Sequence, residues 1–465
     1  MEGIEALPPI AACQPSLVDA VGVVSSHGFV SVKNTERSTA VGLAGLLASF
    51  CAQASLGIYE QGNGVKAMGM GGVSYVGVDE STVLSANPAL AISQGSRFDL
   101  GNDLLIVSGG TRIRGNAAGP DEYYDSSGKS LFPIPQLGLT LPIAEHWAFG
   151  AAAFAAGIGP DYPRSPYARF AQGQGADVEA RSVTALNTLK VAGISLALAH
   201  EIIPGQSIGL SANLQHTSIS TEGTAPFASM SVAPDFVGNQ GQHGGFGISY
   251  TVGWTGTITP WLSGGLSYRS KAWQQRIEQY RGLLPDGGRL ELPAIFGGAL
   301  EARPSESWRL AVEYQHYAYS GSNGFGNTID LLFAGVPLGA KDGPGFGWRD
   351  QNVYKFGFQY LATPQVTLRA GVSYATSLLP RSQTLFAGLA PAPPQWNLGV
   401  GGTLGLTSNS EVSFVMATTE HNTVRGKDSI PDAFGGGEAD IDFKCFNVGM
   451  SYGRSFGKSR AGARS

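Results

Sequence analysis

Charge is scarce in this sequence. Asp, Glu, Lys and Arg make up 14% of the 465 residues, against about a quarter in soluble globular chains. Thirty Lys and Arg face 35 Asp and Glu, leaving a formal −5, so the basic surplus of a nucleic-acid binder is missing. Cysteine is nearly absent, at Cys13, Cys51 and Cys445. Three thiols with no CxxC or Cys/His spacing give neither a disulfide framework nor a metal site. Long apolar runs are missing too. Beyond residue 60 no stretch reaches the ~18 unbroken apolar residues of a membrane helix, which excludes a polytopic helical protein. His146, His200, His216, His243, His316 and His421 have no recognisable catalytic partner motif, so nothing indicates an enzyme or a cofactor. His200 and His216 instead share a parity with apolar neighbours, as expected at a membrane interface.

What is abundant is glycine, 66 residues, with apolar residues dispersed among polar ones. The first apolar segment is a leader. Lys33 and Arg37 precede Val41 to Phe50, and Cys51-Ala-Gln-Ala54 follows. Basic region, short apolar core and small-x-small site together predict export with cleavage after Ala54. Residues 1–32 fit a signal poorly, which suggests that translation begins near Val32. Phe50 ahead of Cys51 speaks against a lipoprotein site. The exported part is close to neutral, with Cys445 as its one thiol.

From Arg97 onward the pattern has a period of two, the mark of strands with one apolar face. Tyr354, Phe356, Phe358 and Tyr360 alternate with Lys355, Gly357 and Gln359; Trp308, Leu310, Val312 and Tyr314 alternate with Arg309, Ala311, Glu313 and Gln315. About fourteen such strands are predicted: 97–115, 132–142, 146–158, 186–201, 206–220, 245–258, 261–275, 290–302, 306–320, 350–361, 365–376, 394–406, 409–420 and 441–456. Tight turns follow the even-numbered strands, and long Gly-, Pro- and Asp-rich loops follow the odd-numbered ones. An even number of strands, short turns on one rim and long loops on the other predict an all-β transmembrane antiparallel barrel of the bacterial outer membrane. Lipid offers no hydrogen bonds, so a spanning sheet must close on itself. The last strand carries Tyr452 and Phe456 at alternate positions, and 457–465 reads as a disordered basic tail.

Residues 55–96 do not alternate. They carry Asn63-Gly64, Ala67-Met-Gly-Met-Gly-Gly72, Asp79-Glu80 and Asn87-Pro-Ala89. Gly69, Gly71 and Gly72 lack the strand–helix context and full spacing of a phosphate loop. Compact segments of small residues suit the inside of a barrel, so 55–96 is expected to be a plug, or hatch, with 97–456 as the barrel.

These motifs resemble the FadL/TodX family of hydrophobic-compound transporters. Asn63-Gly64, Gly69-Met-Gly-Gly72, Asp79-Glu80 and Asn87-Pro-Ala89 resemble its N-terminal hatch. Leu266-Ser-Tyr-Arg-Ser-Lys271 and Leu292-Pro-Ala294 resemble the end of its seventh strand and the start of its eighth. Gly347-Trp-Arg-Asp350, Thr367-Leu-Arg-Ala-Gly371 and Ser377-Leu-Leu-Pro380 match around the tenth and eleventh. The long N-terminal extension and the tail depart from the pattern. The resemblance implies passive, hatch-gated uptake of long-chain fatty acids or aromatic hydrocarbons, with sideways exit beside a kinked third strand. It also implies a monomer whose partners are the hydrophobic substrate, outer-membrane lipid and lipopolysaccharide, and the barrel-assembly machinery, with no nucleic acid. A structural or adhesive barrel and a nonspecific porin are the alternatives.

The candidate residues follow from position. For the hatch they are Asn63, Gly64, Asn87 and Pro88. For the exit they are Phe154, Gly157, Gly159 and Pro160, where Gly and Pro weaken strand pairing. For capture they are Phe227, Met230, Phe236, Leu283 and Leu284, apolar residues on the polar loops 221–244 and 276–289. Parity turns Arg269, Lys271, Arg309, Glu313, Lys355 and Arg369 into the lumen, because charge on the lipid face costs a few kcal/mol.

Overall fold

The computed structural model describes residues 56–456; the leader, the cleavage after Ala54 and the tail from 457 lie outside them. The described residues form a closed antiparallel barrel. Its fourteen strands are Arg97–Arg114 (β1), Leu131–Ala144 (β2), Trp147–Ile158 (β3), Ala185–Ile203 (β4), Gln206–Glu222 (β5), His243–Thr259 (β6), Leu262–Arg269 (β7), Ala294–Ser305 (β8), Trp308–Ala318 (β9), Gln351–Thr363 (β10), Val366–Ala375 (β11), Trp396–Thr407 (β12), Ser410–Thr419 (β13) and Glu438–Ser455 (β14). β1 closes the cylinder against β14 along its whole length, from Arg97–Ser455 to Arg114–Glu438. Two-residue turns join β2 to β3 and each later even-numbered strand to its successor, while the loops on the opposite rim are long. Among the described residues no helix is long and apolar enough to cross a membrane; the strands do the crossing.

Parity sorts the side chains as the period of two requires. Tyr354, Phe356, Leu368, Val400, Phe414 and Met450 are exposed on the outer wall, whereas Lys355, Gln359, Arg369, Asn397 and Cys445 are buried on the inner one. On that outer wall the His200 ring stacks on Trp147 at 4.3 Å, and His216 meets Phe246 edge-on at 5.1 Å.

Two strands depart from the expected limits. The seventh, read over 261–275, ends at Arg269, because the Ser270 hydroxyl rather than a backbone carbonyl accepts the Tyr250 N–H. A short return at Trp273–Gln274 then pairs with Ile248 and Gly247 of β6. The eighth begins at Ala294 rather than 290, since Pro293 has no N–H to give the ladder.

Residues 56–96 lie inside the cylinder, and nearly all of them are buried. Glycines of the wall make room for them. A Cβ added at Gly138, Gly253, Gly265, Gly371 or Gly399 would come within 2.0–2.5 Å of Ser81, Asn87, Tyr75, Gly71 or Met68 respectively. At these positions the lumen segment comes too close to the wall for any side chain larger than glycine's.

Candidate functional site

The lumen segment is tied to the wall by buried polar groups. Glu313 of β9 accepts the backbone N–H of Ser74 (2.8 Å) and of Tyr75 (2.7 Å). Lys355 of β10 pairs with Glu313 at 3.0 Å and donates to the Gly72 carbonyl at 2.7 Å. Arg309 reaches Asp79 (3.0 Å) and the Gly77 carbonyl (3.1 Å). Asp99 of β1 accepts from both the N–H and the hydroxyl of Ser81 and is clamped by Arg97. Glu411 of β13 receives Lys66 and Arg97 together. Such pairs inside a membrane protein hold a segment in place because breaking one strands a charge without water.

Arg369 hydrogen-bonds Gln359 and Thr403 beside this network. Lys271 is a correction to parity: it lies past the end of β7, at the loop rim, paired with Glu291 and the Gly321 carbonyl.

Within the segment, Asn63 donates to the Ser85 hydroxyl at 2.7 Å. Asn87 caps the turn Pro88–Leu90 by accepting the Ala89 N–H, and its amide donates to the carbonyls of Tyr75 and Trp254. Pro88 takes the first position of that turn, where no donor is needed. Gly64 has φ 110°, and a Cβ there would strike the Glu80 carboxylate. Glu80 accepts the Ala67 and Lys66 N–H groups, and burial, opposed by Lys66, pushes its carboxyl up to about 7.

The wall has one interruption. β2 and β3 pair only from Gly138–Ala152 down to their turn; above that, 131–137 pairs with β1 alone and 153–158 with β4 alone. Two prolines account for it. Val107 donates to the Ser130 carbonyl, so on β2 the even-numbered residues point their backbone groups at β1 and the odd-numbered ones at β3. Pro133 and Pro135 are odd-numbered, and both lack the donors that β3 would need. The open edge of β3 is met instead from within: Tyr59 bridges Ala156, and Gly157 donates to the Ile58 carbonyl at 2.7 Å. Phe154 points inward under the Arg269 guanidinium, 4.8 Å from its ring centre. Gly159 and Pro160 follow directly, and the Pro160 carbonyl accepts the Asn187 N–H.

An apolar lining leads from the loops to this place. Beneath the loop rim, Tyr167, Phe170, Phe227, Leu338, Phe386 and Leu389 form one cluster; Ile58, Tyr59, Phe154, Leu284, Tyr317 and Trp348 belong to a second below it. Leu283 and Phe346 pack against both. Between them lies a cavity of about 40 Å³ whose only polar lining comes from Asn187 and Thr221. Leu283 and Leu284 line it; Phe227 and Met230 belong to the upper cluster beside it. Phe236 is a correction: Arg281 covers its ring at 3.2 Å, away from the cavity. The loops 319–350 and 376–395 supply Ile329, Phe346 and Phe386, which sequence reading did not single out.

The family model of outer membrane protein transport proteins (OMPP1/FadL/TodX) matches residues 45–456. The chain belongs to this family. Its fold is that of the Pseudomonas putida toluene transporter TodX, at TM-score 0.64 and 18% identity over 86% of this chain and all of that one. A Pseudomonas aeruginosa FadL homologue (TM-score 0.61, 15% identity, 86% and 100% coverage) and the Ralstonia pickettii toluene transporter TbuX (0.59, 17%, 85% and 99%) share it. No curated protein matches in sequence. Membership makes the chain an outer-membrane transport protein, a class of channels rather than enzymes.

In this FadL/TodX barrel sequence reading also missed a second charge cluster, in which Arg97, Asp99, Glu411 and Lys66 pair with one another. Parity marks Arg97, Asp99 and Glu411 as inward, Lys66 lies in the segment that does not alternate, and neither pattern says what lies across the lumen. The prolines of β2 were readable in Phe132-Pro-Ile-Pro135, as a strand that cannot pair on one side.

Proposed function

We propose that the protein takes up hydrophobic small molecules, aromatic hydrocarbons or long-chain fatty acids, by passive transport across the outer leaflet region. In this reading the loops capture the substrate, the cavity and apolar clusters pass it inward, the segment 56–96 acts as a hatch, and the substrate leaves sideways between β2 and β3. The observation that carries it is the pair of apolar clusters, joined through Leu283 and Phe346, one lining the loop cavity and the other including Phe154 and Ala156 at the interrupted β2–β3 ladder. An oily solute gains about 0.8 kcal/mol per CH₂ by staying out of water, so an apolar path with a lateral end keeps that gain where a water-filled pore forfeits it. At about 40 Å³ the cavity is well below the ~150 Å³ that accommodates benzene, so loading requires the loops to move.

The test is uptake of labelled toluene and dodecanoate by cells with and without the gene. Saturable uptake that depends on the gene supports the reading; equal uptake refutes it. A porin would instead leak small sugars from reconstituted vesicles, and a purely structural barrel would pass neither.

A further inference from the structure

We infer that a polar cleft on the lipid-facing side of the loop rim, bordered by Arg349 and Arg381, binds the phosphorylated sugar head group of an outer-leaflet glycolipid. The cleft measures about 480 Å³, and its lining includes Thr328, Asp330, Arg349, Asp350, Ser382 and Gln383. It differs in kind from the loop cavity, whose lining is almost wholly apolar. A hydrocarbon gains little in such a place, whereas hydroxyl, carboxamide, carboxylate and guanidinium groups together suit a sugar phosphate. Asp350 fixes the position of the cleft, since it lines it and lies 3.7 Å from His316. The His316 ring packs 4.8 Å from that of Phe296, an exposed residue of the outer wall. Long loops mark the outward rim of such barrels, so the cleft stands beside the head groups of the outer leaflet. Arg349 and Asp350 end Gly347-Trp-Arg-Asp350, a motif of which the apolar path uses only Trp348.

Charge is the second observation. Arg349, Arg381, Arg425 and Lys427 are all exposed, in a chain where charge is scarce. They come from three loops that hydrogen bonds hold together. The Arg349 N–H donates to the Leu378 carbonyl at 2.8 Å, and the Lys427 N–H to the Arg381 carbonyl at 3.0 Å. The Arg381 guanidinium donates to the Arg425 carbonyl at 2.9 Å. Among the described residues no carboxylate lies within ion-pair distance of any of the four. Asp440, which lies in the field of Arg425, is already clamped by Arg114 at 2.7 Å. Within the cleft, Asp330 accepts the Gln383 amide at 3.0 Å and Asp350 accepts the Ser320 N–H at 2.9 Å. Each keeps lone pairs for sugar hydroxyls, while the unpaired guanidinium groups take phosphate oxygens in their forked geometry. A phospholipid without sugars would leave the cleft empty, and a neutral glycolipid would leave the cations unpaired; a phosphorylated glycolipid satisfies both.

The test measures binding to the purified barrel in neutral detergent, with lipid A, lipid A stripped of its phosphates, and phosphatidylglycerol as the probes. The wild type, the double variant Arg349→Gln/Arg381→Gln and Thr328→Trp are compared, with folding checked by heat-dependent gel mobility. The wild type should hold lipid A roughly tenfold tighter than either other lipid, the size of one charge-assisted contact. The double variant should lose that preference. Thr328→Trp fills the cleft and leaves the four cations in place, and it should weaken lipid A by roughly tenfold without changing phosphatidylglycerol. Equal wild-type affinity for all three lipids would show indiscriminate attraction and overturn the site, as would no binding of lipid A. A preference kept in the double variant would remove the cations from it, and one kept in Thr328→Trp would remove the cleft; either result contradicts the inference.

Discussion

The backbone N–H of Gly157 donates to the carbonyl of Ile58 at 2.7 Å. With the Tyr59–Ala156 bridge, this contact makes a piece of the lumen segment stand where β2 ought to be. The substitution is slight: two contacts stand where 153–158 would otherwise pair with β2. Regions held by few backbone bonds open at a small fraction of the global free energy, so this is where the wall is weakest.

One side chain steadies that piece. The Tyr319 hydroxyl accepts the Ile58 N–H at 3.2 Å and donates to the Leu56 carbonyl at 3.0 Å. Gly57 is needed to let it in, since a Cβ there would sit 2.2 Å from the hydroxyl oxygen and φ is +65°. Tyr319→Phe leaves the buried Ile58 N–H without a partner, at about 1–3 kcal/mol, and takes one of two donors from the Leu56 carbonyl, which keeps the Tyr59 N–H. Hydrogen exchange of residues 56–60 should rise at least tenfold, with the β4–β5 amides unchanged.

Gly371 tests how closely the segment is fitted to the wall. A Cβ at this position would lie 2.2 Å from the Gly71 nitrogen and the Met70 carbonyl carbon, backbone atoms that cannot swing aside. Gly371→Val is expected to displace the segment while the barrel still assembles, and single-channel conductance in planar bilayers should rise above that of the wild type.

The lumen segment should loosen as pH rises. Burial holds the Glu80 carboxyl at about 7 against an ordinary 4.5, so between these values the folded chain binds more protons than the unfolded one. Stability then falls with rising pH across 4.5 to 7 and is flat outside that window. The effect is at most about 3 kcal/mol. Exchange of residues 63–72, corrected for intrinsic rate, should be faster at pH 8 than at pH 5, and Glu80→Gln should remove the difference.

Strand number, parity and the rhythm of turns and loops were readable because each follows from the period of two and from the need to close a sheet in lipid. Tyr354 and Lys355 could be assigned to opposite faces without a structure, and the structure puts them there. Contacts across the lumen were not readable. That Glu313 meets Ser74 and Tyr75, or that Glu411 joins Lys66 to Arg97, depends on the path of the lumen segment, and no strand pattern encodes that path. Loops follow the same logic. Leu283 stood out as an apolar residue in polar surroundings, but Phe346 and Phe386 come from segments whose place above the lumen only the fold defines.

Passage through the wall beside β3 is tested most directly by uptake in a Gly157→Trp variant, alongside the wild type, with heat-dependent gel mobility confirming that both barrels fold. Trp at the residue that meets Ile58 puts a bulky side chain on the edge of β3 beside the unpaired part of β2. Toluene and dodecanoate uptake should fall to the level of cells lacking the gene. Uptake at the wild-type rate through a correctly folded Gly157→Trp barrel would contradict lateral passage there.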